Sequence, residues 1–316
     1  MNKKKVLVTG ATGSTGRETA RLLVEKGHSV RAFVHREDER SEALAKQGIE
    51  VAVGDLLDMD AVSKALDSID GAYFCYPLLP GLLQATAYFA QAAKETGVQA
   101  IVNMSQISAR RDSKSHAAQD HWVAERVFDR SGVNVTHIRP TFFAEWLLYG
   151  AHVVASTGVL RLPLSPDSRH APVAAEDQSK VIANVLDSPS EHAGKIYPLF
   201  GATELDQNEI AATVGKALGI TVRYEQVPAA IWVNDILTGG RYKKGPKIAN
   251  PDGTLSPGAA FLIQHLEEVS LDHKNGLFGG TNDLLSTIGK TQPLTVEQFL
   301  QKHKDAFKPA LEASRK

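Results

Sequence analysis

The sequence predicts an α/β fold in which a doubly wound parallel sheet is followed by a smaller C-terminal α+β lobe. Short β-branched runs alternate with longer segments of helical period through the first half of the chain, which is the pattern of a parallel sheet covered by helices. Nearly every run is apolar on both faces, so we expect the strands to be buried between two helical layers. After about Thr141 this alternation gives way to helices and isolated short strands.

Six strands are predicted, over residues 6–9, 29–34, 50–53, 71–75, 100–104 and 133–139. Apolar residues at helical spacing place a first helix around Ala20, Leu23 and Val24 and a second helix around Ala43 and Leu44. Three further helices are predicted over residues 59–66, 84–96 and 117–130. The stretch 239–258, rich in Gly, Pro and Lys, is predicted to be a mobile loop.

The bulk composition is that of an ordinary globular protein. At 316 residues the chain exceeds the usual size of one hydrophobic core, so one large domain with an appendage, or two domains, is expected. A formal net charge of -1 gives no indication of a nucleic-acid partner. Cys75 is the only cysteine, which excludes an internal disulfide and a cysteine-based metal cluster and agrees with a cytoplasmic location. The basic start leads into a strand, not into a signal peptide or a membrane span.

The stretch VTGATGSTGRE, residues 8–18, sets three glycines three residues apart between the first strand and the first helix. Gly10 would allow a sharp turn, Gly13 would let a pyrophosphate approach the backbone, and Gly16 would let the helix pack closely. A helix N-terminus binds phosphate through its free amides and its dipole. Hydroxyls available to the phosphate oxygens are those of Thr12, Ser14 and Thr15. The pattern predicts a Rossmann-type NAD(P)-binding domain over residues 1–140 and a substrate-binding lobe over 141–316, with some chain returning to the sheet.

The preferred dinucleotide is predicted from the residue about twenty positions after the glycines. An NAD-selective site carries an acidic residue there, but this chain has Arg36, preceded by His35. A guanidinium favours the 2'-phosphate of NADP through paired charge-assisted bonds. Glu37 and Asp38 follow at once, and a shift of one residue would turn the preference toward NAD; a plain surface role for Arg36 is the other interpretation. NADPH is therefore the expected cofactor, with NAD as the alternative.

Four segments carry a resemblance to a known family: VTGATGSTGRE, ALAKQGIEVAVGDLLD, DHWVAERVFDRSGVNVTHIRP and NGLFGGTNDLLSTIG. Together they resemble the NmrA-like family of atypical short-chain dehydrogenases, nearest its quinone oxidoreductase and triphenylmethane reductase branch. The likeness runs nearly end to end and is weakest over 236–273. It implies that Asp55, with Leu56 beside it, contacts the adenine; from the sequence alone, Asp55 could equally cap a helix that begins near Asp58.

The nicotinamide is expected at the carboxyl ends of the later strands. Residues there that would contact the cofactor are Tyr76, Pro77, Ser105 and Pro140. Short-chain dehydrogenases of the usual type pair a serine with Tyr-x-x-x-Lys, in which the lysine lowers the tyrosine pKa so that the phenol can protonate a carbonyl. Here Ser105 stands in the serine position, but the tyrosine and lysine are missing.

His121 and Glu125 stand where the tyrosine and lysine would be. Four apart on a helix, they share one face, so Glu125 is expected to orient the imidazole and raise its proton affinity. The resembling quinone oxidoreductase branch has the same His-x-x-x-Glu pattern. His121 is then either a proton donor or a partner for the nicotinamide ribose; the alternative is a surface pair with no role in chemistry. His116 is a weaker candidate.

Without a Tyr and Lys pair the chain suits hydride transfer to a conjugated acceptor. Quinones, triaryl cations and azo compounds spread the product charge, so water or a weak acid can finish the reaction. Aromatic residues that could stack on such a ring, or equally serve core packing, follow the sixth strand: Phe142, Phe143, Trp146 and Tyr149. The remaining histidines are scattered without ligand spacing, and no metal site is expected.

Two functions remain open at this point. The leading hypothesis is an NADPH-dependent oxidoreductase that reduces a quinone-like or other conjugated small molecule. The alternative is a non-catalytic protein that binds NAD(P) and gates a regulatory contact, as some NmrA-like proteins do. A homodimer is expected only from the family resemblance, and neither a direct nucleic-acid contact nor a membrane contact is expected.

Overall fold

The computed structural model describes residues 3–238 and 254–307. Its strands are β1 (Lys5–Thr9), β2 (Ser29–Val34), β3 (Glu50–Val53), β4 (Gly71–Phe74), β5 (Ala100–Met104), β6 (Asn134–Pro140), β7 (Val159–Leu162), β8 (Ile196–Leu199) and β9 (Arg223–Gln226). Its helices are α1 (Ser14–Glu25), α2 (Glu39–Ala45), α3 (Met59–Leu66), α4 (Leu82–Thr96), α5 (His116–Asp129), α6 (Trp146–Tyr149), α7 (Ala151–Thr157), α8 (Ala175–Asp187), α9 (Gln207–Leu218), α10 (Ala229–Thr238), α11 (Pro257–Lys274), α12 (Leu284–Thr287) and α13 (Val296–His303).

The main sheet has seven strands in the order β3-β2-β1-β4-β5-β6-β8, and every neighbouring pair is parallel. The strand order reverses between β1 and β4, which is where ligands bind in doubly wound sheets. The predicted α/β fold of Rossmann type is therefore confirmed, and the six predicted strands agree with β1 to β6 within one residue at each end.

The two faces of the sheet bury alternate residues of each strand. Val6 and Val8 pack on one side with residues of α1 and α8, whereas Leu7 packs on the other side with residues of α3 and α4. All three side chains are fully buried. Because side chains of a strand alternate between its faces, this split explains why the strands read as apolar throughout and not as alternating.

Part of the second half of the chain completes the first domain. α8 packs against α1, where the Ser179 hydroxyl donates to the Thr15 carbonyl oxygen at 2.9 Å, and β8 forms the seventh strand beside β6. Neither element was predicted individually. The division at residue 140 remains a prediction, to which the structure adds that α8 and β8 lie on the Rossmann side.

The smaller lobe holds the paired parallel strands β7 and β9 and the helices around them. A further apolar cluster joins α10 and α11 through Trp232, Val233 and Leu266. The predicted mobile loop at 239–258 lies outside the described residues except for 254–258, where Ser256 caps the start of α11. None of the described helices is long and apolar enough to cross a membrane.

Candidate active site

The glycine turn presents an open helix N-terminus. Gly10 adopts the left-handed conformation with φ of +58°, and the Gly13 amide donates to the Gly10 carbonyl oxygen at 2.8 Å. Gly13 is the N-cap of α1 and provides no side-chain cap, so the first amides of this helix remain free to bind an anion. A Cβ on Gly16 would lie 2.3 Å from the Gly10 carbonyl oxygen. Gly16 thus serves the contact between helix and turn more than packing on the sheet.

The three hydroxyls after Gly10 differ in their environment. Thr12 and Ser14 are half-buried at the turn. Thr15 is buried, and its hydroxyl oxygen lies 3.2 Å from the hydroxyl of Tyr73 inside the core. The Tyr73 hydroxyl donates to Thr15, which leaves the Thr15 hydroxyl hydrogen to donate elsewhere, so the phosphate contact of Thr15 stays a prediction.

The adenosine end of the predicted cofactor site is exposed and charged. The His35 side chain is 76% exposed, with its Nδ1 3.6 Å from a carboxylate oxygen of Asp55. The Arg36 side chain is 49% exposed. Asp38 caps α2 in a capping box, and its contact with Arg40 lowers the pKa of the Asp38 carboxyl to about 2. The carboxylate of Asp38 is therefore already used locally, which weakens the case for an NAD-selective acid at this position.

Asp55 does not cap the following helix. Its side chain accepts a hydrogen bond from the Leu57 amide at 2.9 Å, whereas Asp58 is the N-cap of α3. Leu56 is half-buried against the apolar layer under α3 and α4. The capping alternative for Asp55 is thus wrong, and its contact with an adenine stays a prediction.

A cavity of about 400 Å³ lies over the carboxyl ends of β4, β5 and β6 and reaches the glycine turn at Gly13. Its walls include the residues predicted to follow those strands, namely Tyr76, Pro77, Ser105, Pro140, Phe142, Phe143, Trp146 and Tyr149. The turn that would hold a diphosphate and the aromatic run therefore belong to one continuous space. Gln106 also lines it, and its Nε2 is buried without a hydrogen-bond partner among the described residues.

Glu125 is held by other residues than the one predicted. The carboxylate is fully buried; its Oε1 accepts from the Ser105 hydroxyl at 2.6 Å and from Nε of Arg139 at 2.8 Å, and its Oε2 accepts from Nη2 of Arg139 at 2.5 Å. The expectation that Glu125 orients His121 through a hydrogen bond is wrong. Arg139, on the neighbouring strand β6, offers a two-pronged guanidinium that a carboxylate prefers to an imidazole.

His121 is buried beside this group and lines the cavity. Its Nδ1 has no hydrogen-bond partner within the described parts of the chain. Burial lowers the pKa of His121 to about 4 despite the opposing charge of Glu125. The imidazole is therefore neutral near pH 7, because burial lowers the proton affinity of His121 by more than the charge of Glu125 raises it. The exposed His116 begins α5 and is not among the cavity-lining residues.

The aromatic wall includes residues that the sequence did not indicate. Trp146 stacks on Trp232 of α10 with ring centres 4.8 Å apart and planes 10° apart. Phe278 lines the same cavity and stacks on His273 of α11 with ring centres 3.6 Å apart. These partners come from helices whose association with the aromatic run is a tertiary contact, for which no local pattern exists.

Four of the histidines that are scattered along the sequence lie close together in the structure. His265 and His273 of α11 line the cavity together with His121, and His170 lies 5.0 Å from His273 between ring centres. Burial lowers the pKa of His170 and of His265 to about 3. The structure brings together no group of three or more His, Cys, Asp or Glu that could hold a metal ion within residues 3–238 and 254–307.

Comparison with known proteins agrees with this geometry. The chain is 32% identical to an NAD(P)H azoreductase from Xenophilus azovorans over 221 residues, covering 69% of this chain and 76% of that one. It is 28% identical to quinone oxidoreductase 2 of Escherichia coli over 229 residues, covering 71% and 78%.

Solved structures share the fold. The NADPH complex of the quinone oxidoreductase QOR2 from Escherichia coli superposes with a TM-score of 0.77 at 24% identity, covering 95% of this chain and 99% of that chain. The negative transcriptional regulator NmrA, in complex with NAD, superposes with a TM-score of 0.66 at 18% identity, covering 100% and 95%. The sequence pattern of the NmrA-like family matches residues 2–249. The chain therefore belongs to the NmrA-like family.

Proposed function

We propose that this protein is an NAD(P)H-dependent reductase that transfers hydride to a quinone-like, conjugated small molecule. The observation that carries the proposal is the single cavity that joins the glycine turn to an aromatic wall. One end of the cavity offers a helix N-terminus without a side-chain cap, and the other offers stacked indole rings. A reductase of a flat acceptor needs both ends within one space.

The residues present fit a nicotinamide dinucleotide. The turn at Gly10 and Gly16 leaves a cradle that a Cβ would fill, and the buried, unpaired Nε2 of Gln106 is suited to bind a carboxamide oxygen. The exposed guanidinium of Arg36 favours NADPH over NADH. A bound reduced nicotinamide would supply the hydride. The azoreductase and quinone oxidoreductase relatives, at 32% and 28% identity over most of the chain, support the same assignment.

The polar residues of the cavity match a reaction that needs little proton transfer. Ser105 donates its hydroxyl hydrogen to Glu125, whose charge is balanced by Arg139. Neutral His121 can donate or accept one hydrogen bond but is a weak acid at pH 7. Ser105 and Glu125 would orient the ribose, His121 would orient the acceptor, and the last proton would come from water. This suits a conjugated acceptor better than an isolated ketone.

The experiment measures NADPH oxidation by the purified chain with 1,4-naphthoquinone, an azo dye and a triarylmethane dye at saturating cofactor. We expect turnover with at least one of them. Binding of both nicotinamide dinucleotides with no turnover on any acceptor would favour the sensing function instead, and absence of binding would refute both.

Cofactor preference has its own test. Arg36→Ala should weaken NADPH binding by about tenfold to a hundredfold, the value of a charge-assisted hydrogen bond, and leave NADH binding unchanged. Arg40→Ala is the matched control, because the exposed Arg40 guanidinium is hydrogen-bonded to Asp38 at 2.6 Å, whereas Arg36 reaches the same carboxylate only at 3.8 Å. Equal losses in the two variants would contradict a direct contact between Arg36 and the 2'-phosphate.

A further inference from the structure

Helix α11 is fastened over the cavity by side-chain bonds to the loop between β5 and α5. The Arg110 guanidinium forms two hydrogen bonds with the carboxylate of Asp272, at 2.7 and 2.6 Å. The Gln264 amide donates to the Lys114 carbonyl oxygen at 2.8 Å and accepts from the His116 amide at 3.1 Å. Side chains of α11 that face the cavity are therefore held in fixed register with the end of β5.

His265 of α11 is tied to the cap of α5. The Ser115 hydroxyl oxygen accepts from the Ala118 amide at 3.1 Å, as an N-cap does, and lies 2.7 Å from Nδ1 of His265. Ser115 is fully buried. Its hydroxyl hydrogen needs an acceptor there, and Nδ1 is the acceptor that the described residues provide. The serine thus donates to Nδ1, which places the imidazole hydrogen on Nε2.

A molecule bound in the cavity would lie beside this ring. His265 lines the cavity with Trp232 and His121, and it is 7% exposed. Burial, reinforced by neighbouring His121, lowers the pKa of His265 to about 3. The ring is then neutral at pH 7 and acts as a hydrogen-bond donor without giving up its proton.

We propose that Nε2–H of His265 donates a hydrogen bond to a carbonyl oxygen of the acceptor, so that the preferred substrates are quinones and not acceptors without a ring carbonyl. The proposal rests on the proposed reductase function and narrows its substrate class. The carbonyl oxygen gains negative charge as hydride arrives, and a placed donor stabilises that charge. Trp146 and Trp232 would hold the ring plane while His265 holds the oxygen.

Direct binding tests this contact without relying on turnover. Quenching of tryptophan fluorescence by 1,4-naphthoquinone and by naphthalene is measured with saturating NADP⁺, or without nucleotide if none binds. The two probes share a ring system but only the quinone carries oxygen. His265→Phe should reduce the preference for the quinone, expressed as the ratio of the two dissociation constants, by about three- to tenfold. His265→Gln, which keeps an N–H donor, should retain most of it.

An unchanged ratio in His265→Phe would overturn the proposal, whether the two affinities stay the same or fall equally. This outcome differs from a failure of the proposed function. If the wild type binds the quinone selectively but never oxidises NADPH, the proposed reductase function is refuted and the carbonyl contact is not. If the wild type reduces the quinone and His265→Phe keeps the same quinone preference, only the proposed contact is refuted.

The positioning role of Ser115 has a spectroscopic signature. In ¹⁵N-histidine-labelled protein, with the His265 signals assigned by their loss in His265→Gln, we expect Nε2 protonated and Nδ1 unprotonated. Ser115→Ala should convert this pattern to a mixture of tautomers and lower the quinone preference, whereas Ser115→Thr, which keeps a capping hydroxyl, should restore both. A protonated Nδ1 in the wild type would contradict the assignment.

Discussion

The buried carboxylate of Glu125 offers the sharpest test of how the site is held together. Glu125→Gln keeps the size and shape of the side chain but removes its charge. In the wild type both carboxylate oxygens accept hydrogen bonds from Arg139, at 2.8 and 2.5 Å, and one also accepts from the Ser105 hydroxyl. A glutamine has one oxygen and one NH₂ group, so in either orientation a donor opposes the guanidinium.

The expected cost is about 3 kcal/mol of unfolding free energy. Removing one partner of a buried ion pair costs roughly 3–5 kcal/mol. The lower end applies because the Arg139 side chain is 19% exposed, so water can partly solvate the guanidinium that loses its counter-ion. The loss of one charge-assisted hydrogen bond alone accounts for about 1.5–3 kcal/mol.

Urea unfolding followed by circular dichroism measures this cost. Arg126→Gln is the matched control, because Arg126 also reaches Glu125, at 3.5 Å, but from a more exposed position, and its loss should cost at most about 1 kcal/mol. The double variant Glu125→Leu with Arg139→Leu removes both charges and should recover much of the stability. The reasoning fails if Glu125→Gln lies within about 1 kcal/mol of wild type, or if the double variant is no more stable than the single one.

Three other predictions follow from the same geometry. Gly16→Ala places a methyl group against the Gly10 carbonyl oxygen. The turn must distort, at a cost of about 1–3 kcal/mol, and we expect calorimetry to give an NADPH affinity about tenfold lower. Gly150→Ala, where a Cβ meets nothing within 4 Å, should leave the affinity unchanged, and a loss of affinity there too would disprove the steric cause. His121→Ala should lower the rate of quinone reduction about tenfold with NADPH binding unchanged. Because burial lowers the pKa of His121 to about 4, a change in the wild-type rate with a midpoint near pH 6.5 would contradict a neutral imidazole. The pKa of His170 falls to about 3 in the folded chain against about 6.5 when unfolded. The unfolded state therefore binds the proton first, and stability declines as pH drops from about 6.5 toward 3. His170→Phe should flatten the decline of the urea midpoint with falling pH, and midpoints that fall in parallel for wild type and variant would refute this.

Most of the Rossmann half could be predicted from sequence because its signals are local. Apolar β-branched runs followed by helical periodicity place β1 to β6 within a residue or so, and three glycines between a strand and a helix are typical of a dinucleotide-binding turn. The seventh strand, β8, escaped prediction because Ile196–Leu199 is short and isolated among turns. Only its pairing with β6 makes it part of the sheet.

The site was harder to predict because its contacts are tertiary. Helical spacing correctly placed His121 and Glu125 on one helix, but spacing cannot tell that Arg139 of β6 reaches the carboxylate first. The bond from the Tyr73 hydroxyl to Thr15 likewise joins residues far apart in sequence and could not be predicted from the glycine motif. His265 carried no signal, because its meaning depends on a serine 150 residues away in sequence.

The position of α11 in the chain bears on how the wall of the cavity is encoded. The matched family pattern ends at residue 249, whereas α11 spans Pro257–Lys274 and contributes His265, Leu266, Val269 and His273 to the cavity wall. Under the proposed function, the glycine turn and most of the aromatic wall lie inside the matched region, whereas the α11 part of the acceptor wall lies beyond it. Substitutions on α11 would therefore change one wall of this cavity and leave the glycine turn as it is.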